Sequence, residues 1–260
     1  GEARRFFERT QPRCAPVETI DVARQARIVV PGQPHHVYLR GNNRRRLFSS
    51  GADYERFIAC LTLGLNSSEC ALHQLTLMTN HVHLIATPPV VAGLSTLLHR
   101  TCQRYAQVRN ALRDGSGKLF EERFQSKPIL DDEYLSTVTI YNDVNAYRAG
   151  RVKTPLAHVW STGPMHAGRA GRIPAQLWTP SAWYLAPGAT PQARATRYRE
   201  IVAERVGAAE DTAPTSPYQR RLERPDRTSA QEESPRWGNF PLSLCLDSSE
   251  DPVPKSRRAG

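Results

Sequence analysis

Leu75-Thr76-Leu77-Met78-Thr79-Asn80-His81-Val82-His83-Leu84-Ile85 reads as two apolar runs on either side of a tight polar break at Thr79-Asn80. That pattern predicts a β-hairpin whose second strand opens with two histidines. Side chains alternate across a strand, so His81 and His83 share one face while Val82 and Leu84 take the other. Two imidazoles spaced this way make a two-point metal claw. They fit equally well as two polar positions on a half-solvated strand. The flanking segments decide between these readings.

Upstream, His36-Val37-Tyr38-Leu39 predicts a first strand. It ends in Arg40-Gly41-Asn42-Asn43-Arg44-Arg45-Arg46, a turn with a dense cationic cluster. Such a turn suits phosphate or base contacts, or is a plain solvated basic loop. Tyr54, Phe57, Ile58, Leu61 and Leu65 recur at helical spacing, and the hairpin strands follow over Ala71–Met78 and His81–Thr87. Leu94, Leu97, Leu98, Tyr105, Val108 and Leu112 mark a longer helix, broken by Gly115-Ser116-Gly117. Leu119 to Lys127 leads into a last strand ending at Ile129-Leu130. Asp131-Asp132 then caps a helix whose stripe runs Leu135, Val138, Tyr141 or Asn142, and Asn145, with Gly150 to end it. The order predicts an α+β fold: a ferredoxin-like antiparallel sheet with helices on one face and an added C-terminal helix. The histidine strand is expected to sit centrally, within reach of that final helix.

The chain has 260 residues, a formal charge of +10 and a pI near 9.7. That balance argues for an anionic partner, nucleic acid or a membrane surface. No apolar stretch approaches the ~20 residues of a membrane span, and no charged-then-apolar leader opens the chain. The cysteines (Cys14, Cys60, Cys70, Cys102, Cys245) are scattered, without paired metal spacing, so reduced thiols and a cytoplasmic location are expected. Residues 1–21 read as a flexible extension and 22–206 as the folded domain. That domain includes an irregular segment bearing Trp160, Trp178 and Trp183 and a helix over Pro191–Val206. Residues 207–260, rich in Pro, Ser, Arg and Glu, read as a mostly disordered tail in which Trp237–Leu242 forms an apolar island.

On the final helix Tyr141 and Asn145 share one face. With His81 and His83, Asn145 would complete a three-ligand cation site beside a tyrosine. A helical tyrosine is more often packing than chemistry, and a phenol with pKa near ~10 needs activation to attack.

Taken together these motifs resemble the REP-associated tyrosine transposases, within the single-tyrosine HUH transposases of bacterial insertion sequences. The family's histidine–hydrophobe–histidine strand is matched by His81-Val82-His83 after Leu77-Met78-Thr79-Asn80. Its opening strand is matched by His36-Val37 and Arg40 to Asn43, and its Gly…Glu-x-Arg-Phe segment by Gly117, Glu121, Arg123 and Phe124. Its tyrosine helix is matched by Tyr141, Asn145, Arg148, Ala149 and Gly150. The likeness runs from about Ala23 to Val206 and continues weakly through Thr179-Pro180 and Tyr184-Leu185. The chain departs from it at Thr79 and Ala146, where relatives carry Pro, and keeps in Asp143 the acidic residue two after the tyrosine.

The resemblance implies an HUH-type endonuclease that cleaves and rejoins single-stranded DNA at hairpin or palindromic repeats. Tyr141 would be the nucleophile and form a 5′-phosphotyrosine. A divalent metal, Mg²⁺ or Mn²⁺, would be held by His81, His83 and Asn145, although imidazole ligands also suit Zn²⁺ or Ni²⁺. Arg40, Asn42, Asn43, Arg44, Arg45 and Arg123 are the expected DNA contacts of a monomer or homodimer. Two alternatives are a non-catalytic single-strand nucleic-acid binder on the same fold and a metal-dependent hydrolase in which water attacks.

Overall fold

The computed structural model describes residues 27–113 and 115–208. The expected extension over 1–21, the tail from 209 onward and the Trp237–Leu242 island lie outside the described residues.

β1 (His35–Arg40), α1 (Gly51–Ser68), β2 (Ala71–Leu77), β3 (His81–Thr87), α2 (Gly93–Ala111) and β4 (Gln125–Pro128) follow one another along the chain. The strands form one antiparallel sheet in the order β2-β3-β1-β4. This is the ferredoxin-like α+β arrangement expected from the sequence, with the histidine strand β3 central. α3 (Asp132–Arg148), α4 (Gly163–His166), α5 (Ala182–Leu185) and α6 (Pro191–Ala208) complete it. No helix among the described residues is long and apolar enough to cross a membrane.

Strand alternation divides the sheet into two unlike faces. Val37, Leu39, Leu75, Leu77, Val82, Leu84 and Ala86 point toward α1 and α2 and share a core with Phe57, Leu61, Leu94, Leu97 and Tyr105. Burying each large apolar side chain there contributes about 1.5–3 kcal/mol. The two helices meet closely at Gly64, where a Cβ would stand 2.7 Å from the Leu97 carbonyl oxygen. The other face carries His36, Tyr38, Arg40, Gln74, Thr76, His81, His83 and Ile85, and α3 lies across it. The first half of α3 packs through Leu135 and Val138 on Ile85 and Ile129. Asp131 caps it by accepting from the Tyr134 N–H at 2.6 Å, and Gly150 ends it with φ 66°.

Several boundaries differ from the sequence reading. β4 stops at Pro128, and Ile129 turns into the small cluster under α3 instead of extending the strand. Phe120 joins the sheet only through an isolated bridge to Gly41. α2 ends at Ala111, ahead of the glycines, because the Asn110 carbonyl accepts from Arg113 N–H at 3.2 Å and Gly115 N–H at 3.0 Å. Asn142, not Tyr141, continues the buried stripe of α3.

The tryptophan-bearing segment seals the outer edge of β2. Leu77 N–H donates to Trp160 O (3.0 Å), Thr162 N–H to Leu75 O (2.9 Å) and Thr179 N–H to Leu72 O (2.7 Å). His158 Nε2 adds a bond to Leu77 O (2.9 Å) and Trp178 Nε1 one to His73 O (2.9 Å).

Gly64→Ala is expected to lower stability by about 1–3 kcal/mol in urea denaturation, because the Leu97 backbone cannot yield without separating the helices. Unchanged or increased stability would show that α1 and α2 are free to move apart.

Candidate active site

β1 and β3 pair so that Tyr38 stands opposite His83 and Arg40 opposite His81. The His81 and His83 rings lie 5.0 Å apart, edge to face. Tyr38 packs against both, at 5.6 Å and 5.1 Å. Burial is the largest influence on the Tyr38 phenol and raises its pKa, so it stays protonated. Tyr141 reaches this group from α3, its ring 6.4 Å from His83 and edge-on to it. Asn145, one turn farther along, is partly exposed. Arg148 lies with its guanidinium carbon 5.4 Å from the Tyr141 ring centroid.

Each histidine has one nitrogen engaged within the protein. His81 Nδ1 is 2.7 Å from Asn80 Oδ1, which can only accept, so the His81 proton sits on Nδ1 and the Nε2 lone pair is left over. His83 Nδ1 is 3.2 Å from His36 Nε2, and His83 Nε2 is buried without a partner among the described residues. With His83 donating from Nδ1, that orphaned Nε2 is a lone pair too. Burial, with a smaller contribution from Arg40, lowers the His81 pKa to about 4. Burial and Lys127 lower that of His36 to about 4 as well. Burial, with His81 and His36 adding to it, holds the His83 pKa well below its ordinary value. The His81 and His83 rings are therefore neutral near pH 7, the form that binds metal. The residues present thus fit a divalent cation with two imidazole donors. No group of three His, Cys, Asp or Glu forms a metal site among the described residues, so further ligands must be of another type, such as the Asn145 amide oxygen.

What seats α3 is a carboxylate two residues beyond Tyr141. Asp143 Oδ2 accepts from His166 Nδ1 (2.6 Å) and Tyr198 OH (2.7 Å), and Oδ1 from Gln74 Nε2 (3.0 Å). Asn142 Nδ2 donates to Gln74 Oε1 (3.0 Å), and Thr76 Oγ1 to the Asn142 carbonyl (3.0 Å). β2, α3, α4 and α6 are thereby bonded through one buried cluster.

The basic turn is fixed by the hairpin. Gly41 N–H donates to Asn80 O (2.8 Å), Leu47 N–H to Thr79 O (2.8 Å), and Asn80 Nδ2 to Arg44 O (3.3 Å). A Cβ on Gly41 would come 2.2 Å from the Arg45 carbonyl oxygen, so the turn requires glycine there. Asn43 and Arg44 adopt left-handed φ of 51° and 59°. Asn43, Arg45 and Arg123 are exposed, and Asn42 and Arg44 are half-buried. Arg40 differs from the rest of this set, being ion-paired with Glu121.

Sequence reasoning did not single out His36, Tyr38, Asn80 or Gln74 for roles here. The signal for the first two was available: they share strand parity, and a neighbouring strand in register brings them to the histidines. The partners of Asp143 carried no such signal.

Two outcomes follow. Asp143→Ala strips acceptors from three buried donors and is expected to cost about 3 kcal/mol or more in urea denaturation, whereas a near-neutral effect would show that the cluster does not hold α3. In the metal-free protein, folded His36 and His81 titrate near 4 against ~6.5 when unfolded, so the unfolded chain binds more protons between those values. Stability should therefore be full above ~6.5 and fall as pH drops toward 4. A melting temperature flat over that range would contradict the buried, neutral placement of these rings.

The family model described as Transposase IS200 like matches residues 30–141. No curated protein gives a match. Among solved structures, a REP-associated tyrosine transposase bound to a REP hairpin aligns with a TM-score of 0.49 at 15% identity, covering 60% of this chain and 91% of that one. A candidate transposase from Deinococcus radiodurans R1 aligns with a TM-score of 0.34 at 15% identity, covering 49% of this chain and 96% of that one. The matched residues run from just before β1, through both histidines, to Tyr141 itself, so this stretch of the chain is similar to the IS200-like transposases.

Proposed function

We propose that this protein is a transposase that nicks and rejoins single-stranded DNA, with Tyr141 as nucleophile and hairpin or palindromic repeat DNA as substrate. The observation that carries the reading is the seat of Tyr141, edge-on to His83 at 6.4 Å and in the same chain as both histidines. His81 Nε2, His83 Nε2 and the Asn145 amide oxygen would hold a divalent cation, Mg²⁺ or Mn²⁺. When bound, that cation neutralises charge on the scissile phosphate oxygens.

The chain's own groups do the rest. Tyr141 Oη gives up its proton and attacks phosphorus, the P–O3′ bond breaks, and the 3′ oxygen leaves and takes up a proton. The 5′ phosphate stays on Tyr141 as a phosphodiester. Rejoining is the reverse: an incoming 3′ hydroxyl attacks that phosphorus and regenerates the phenol, so no ATP is needed. Arg148 supplies positive charge beside the ring as the phenol loses its proton. Asn80 and His36 hold the two imidazoles in the tautomers that leave Nε2 free. Arg40, Asn42, Asn43, Arg44, Arg45 and Arg123 would contact the strand, the exposed ones through its phosphates. On this reading the chemistry lies within residues 22–206.

The test is incubation of the protein with Mn²⁺ and single-stranded hairpin oligonucleotides from beside its own gene. A denaturation-resistant protein–DNA adduct is expected. Tyr141→Phe should abolish both adduct and cleavage while DNA binding persists, and Phe at Tyr105, Tyr134 or Tyr147 should leave the adduct intact. Cleavage that survives Tyr141→Phe without an adduct would mean that water attacks. Binding without cleavage by the unaltered chain would reduce it to a binding protein.

A further inference from the structure

α2 carries a buried arginine whose Nε is unpartnered among the described residues. Tyr105 and Arg109 lie four residues apart on α2, and Arg113 follows just beyond its end. Tyr105 OH donates to the Leu47 carbonyl at 2.7 Å, and Arg113 Nη2 pairs with Asp53 Oδ2 at 2.8 Å. Arg109 lies between these two anchored residues along the chain. It is only 7% exposed, and its Nε has no hydrogen-bond partner among the described residues. Asp53, the acid within reach, is already occupied. Its Oδ2 also accepts from Ser49 N–H (2.9 Å), and its Oδ1 faces Arg56 Nη1 at 3.5 Å. Burial is the largest effect lowering the Arg109 pKa, with Arg113 and Arg45 adding to it and Tyr105 and Asp53 opposing.

A buried guanidinium is unfavourable without an anion of its own, and among the described residues the acid near Arg109 is the already shared Asp53. Its neighbours Arg45 and Arg113 make the surroundings more cationic still. A phosphate is the anion that matches a guanidinium fork, and the net charge of +10 already implies an anionic partner. The place is also informative. Arg45 belongs to the turn that leaves β1 at Arg40 and is bonded to Asn80, next to His81. The candidate active site and Arg109 therefore both lie near the same turn.

We propose that Arg109, with Arg45 and Arg113, forms a subsite for a backbone phosphate of the DNA strand that passes over the basic turn from Tyr141. The inference rests on the reading of this protein as a single-strand DNA transposase, and extends its strand-binding surface from the sheet face to the end of α2. Arg109 would contribute affinity and register without touching the reacting atoms.

The test uses the full chain without metal and a fluorescent hairpin oligonucleotide with a single-stranded flank, titrated by anisotropy over a KCl series. Arg109→Met keeps the apolar stem and removes the fork. It is expected to weaken binding roughly tenfold, and to lower the salt slope by about one. Its melting temperature should match or exceed that of the unaltered chain. Arg45→Gln should also weaken binding, and the double variant should lose less than the two single losses combined, because both residues hold one phosphate. If Arg109→Met does not fold, Arg109→Lys, which keeps charge but not the fork, should show the weakening instead. Unchanged affinity and salt slope would overturn the proposal and leave Arg109 a desolvated structural cation. Inorganic phosphate that stabilises the unaltered chain but not Arg109→Met, with DNA affinity equal in both, would overturn it in favour of free phosphate. Cleavage is not read in this experiment, so loss of the adduct alone refutes the transposase chemistry and leaves the subsite standing.

Discussion

Asp143 is the carboxylate on which the arrangement of the sheet's polar face depends. It is buried, and its donors come from β2, α4 and α6. A buried carboxylate in this position tolerates little rotation of its helix, because each bond lost leaves a polar group unsatisfied. Since Asp143 follows Tyr141 by two residues on α3, fixing the one orients the other. The seat of the tyrosine is thus set from behind by a hydrogen-bond cluster, and the apolar contacts of Leu135 and Val138 set only the first half of the helix.

The two faces of the sheet separate folding from chemistry. The side toward α1 and α2 is apolar and closely packed. The side toward α3 holds four imidazole or phenol rings, an arginine–glutamate pair and a polar cluster. Strand alternation alone produces this division, so the polar cluster of the candidate site lies on the sheet without interrupting the core beneath it. Burial then keeps the imidazoles neutral, which favours ligation but costs the protein stability in acid.

The element order, the hairpin and the shared face of His81 and His83 were readable because each is a local pattern of period two or of helical spacing. The four-residue β4 and the early end of α2 were not, because backbone bonds from Asn110 and the packing of Ile129 decide them. The role of Asp143 was hidden for a different reason. His166 and Tyr198 lie 23 and 55 residues further along the chain, beyond any local pattern. Arg40 looked like its neighbours in the basic run, and only the approach of Glu121 sets it apart.

The bonds from the 158–179 segment to β2 also limit how copies of this chain can associate. A sheet grows across molecules by adding a strand to a bare edge, and on the β2 side that edge is already filled by His158, Trp160, Thr162, Trp178 and Thr179. The opposite edge is β4, which is four residues long and ends in Pro128, a residue with no N–H to offer. Among the described residues, then, a continuous intermolecular sheet has only this short margin to start from.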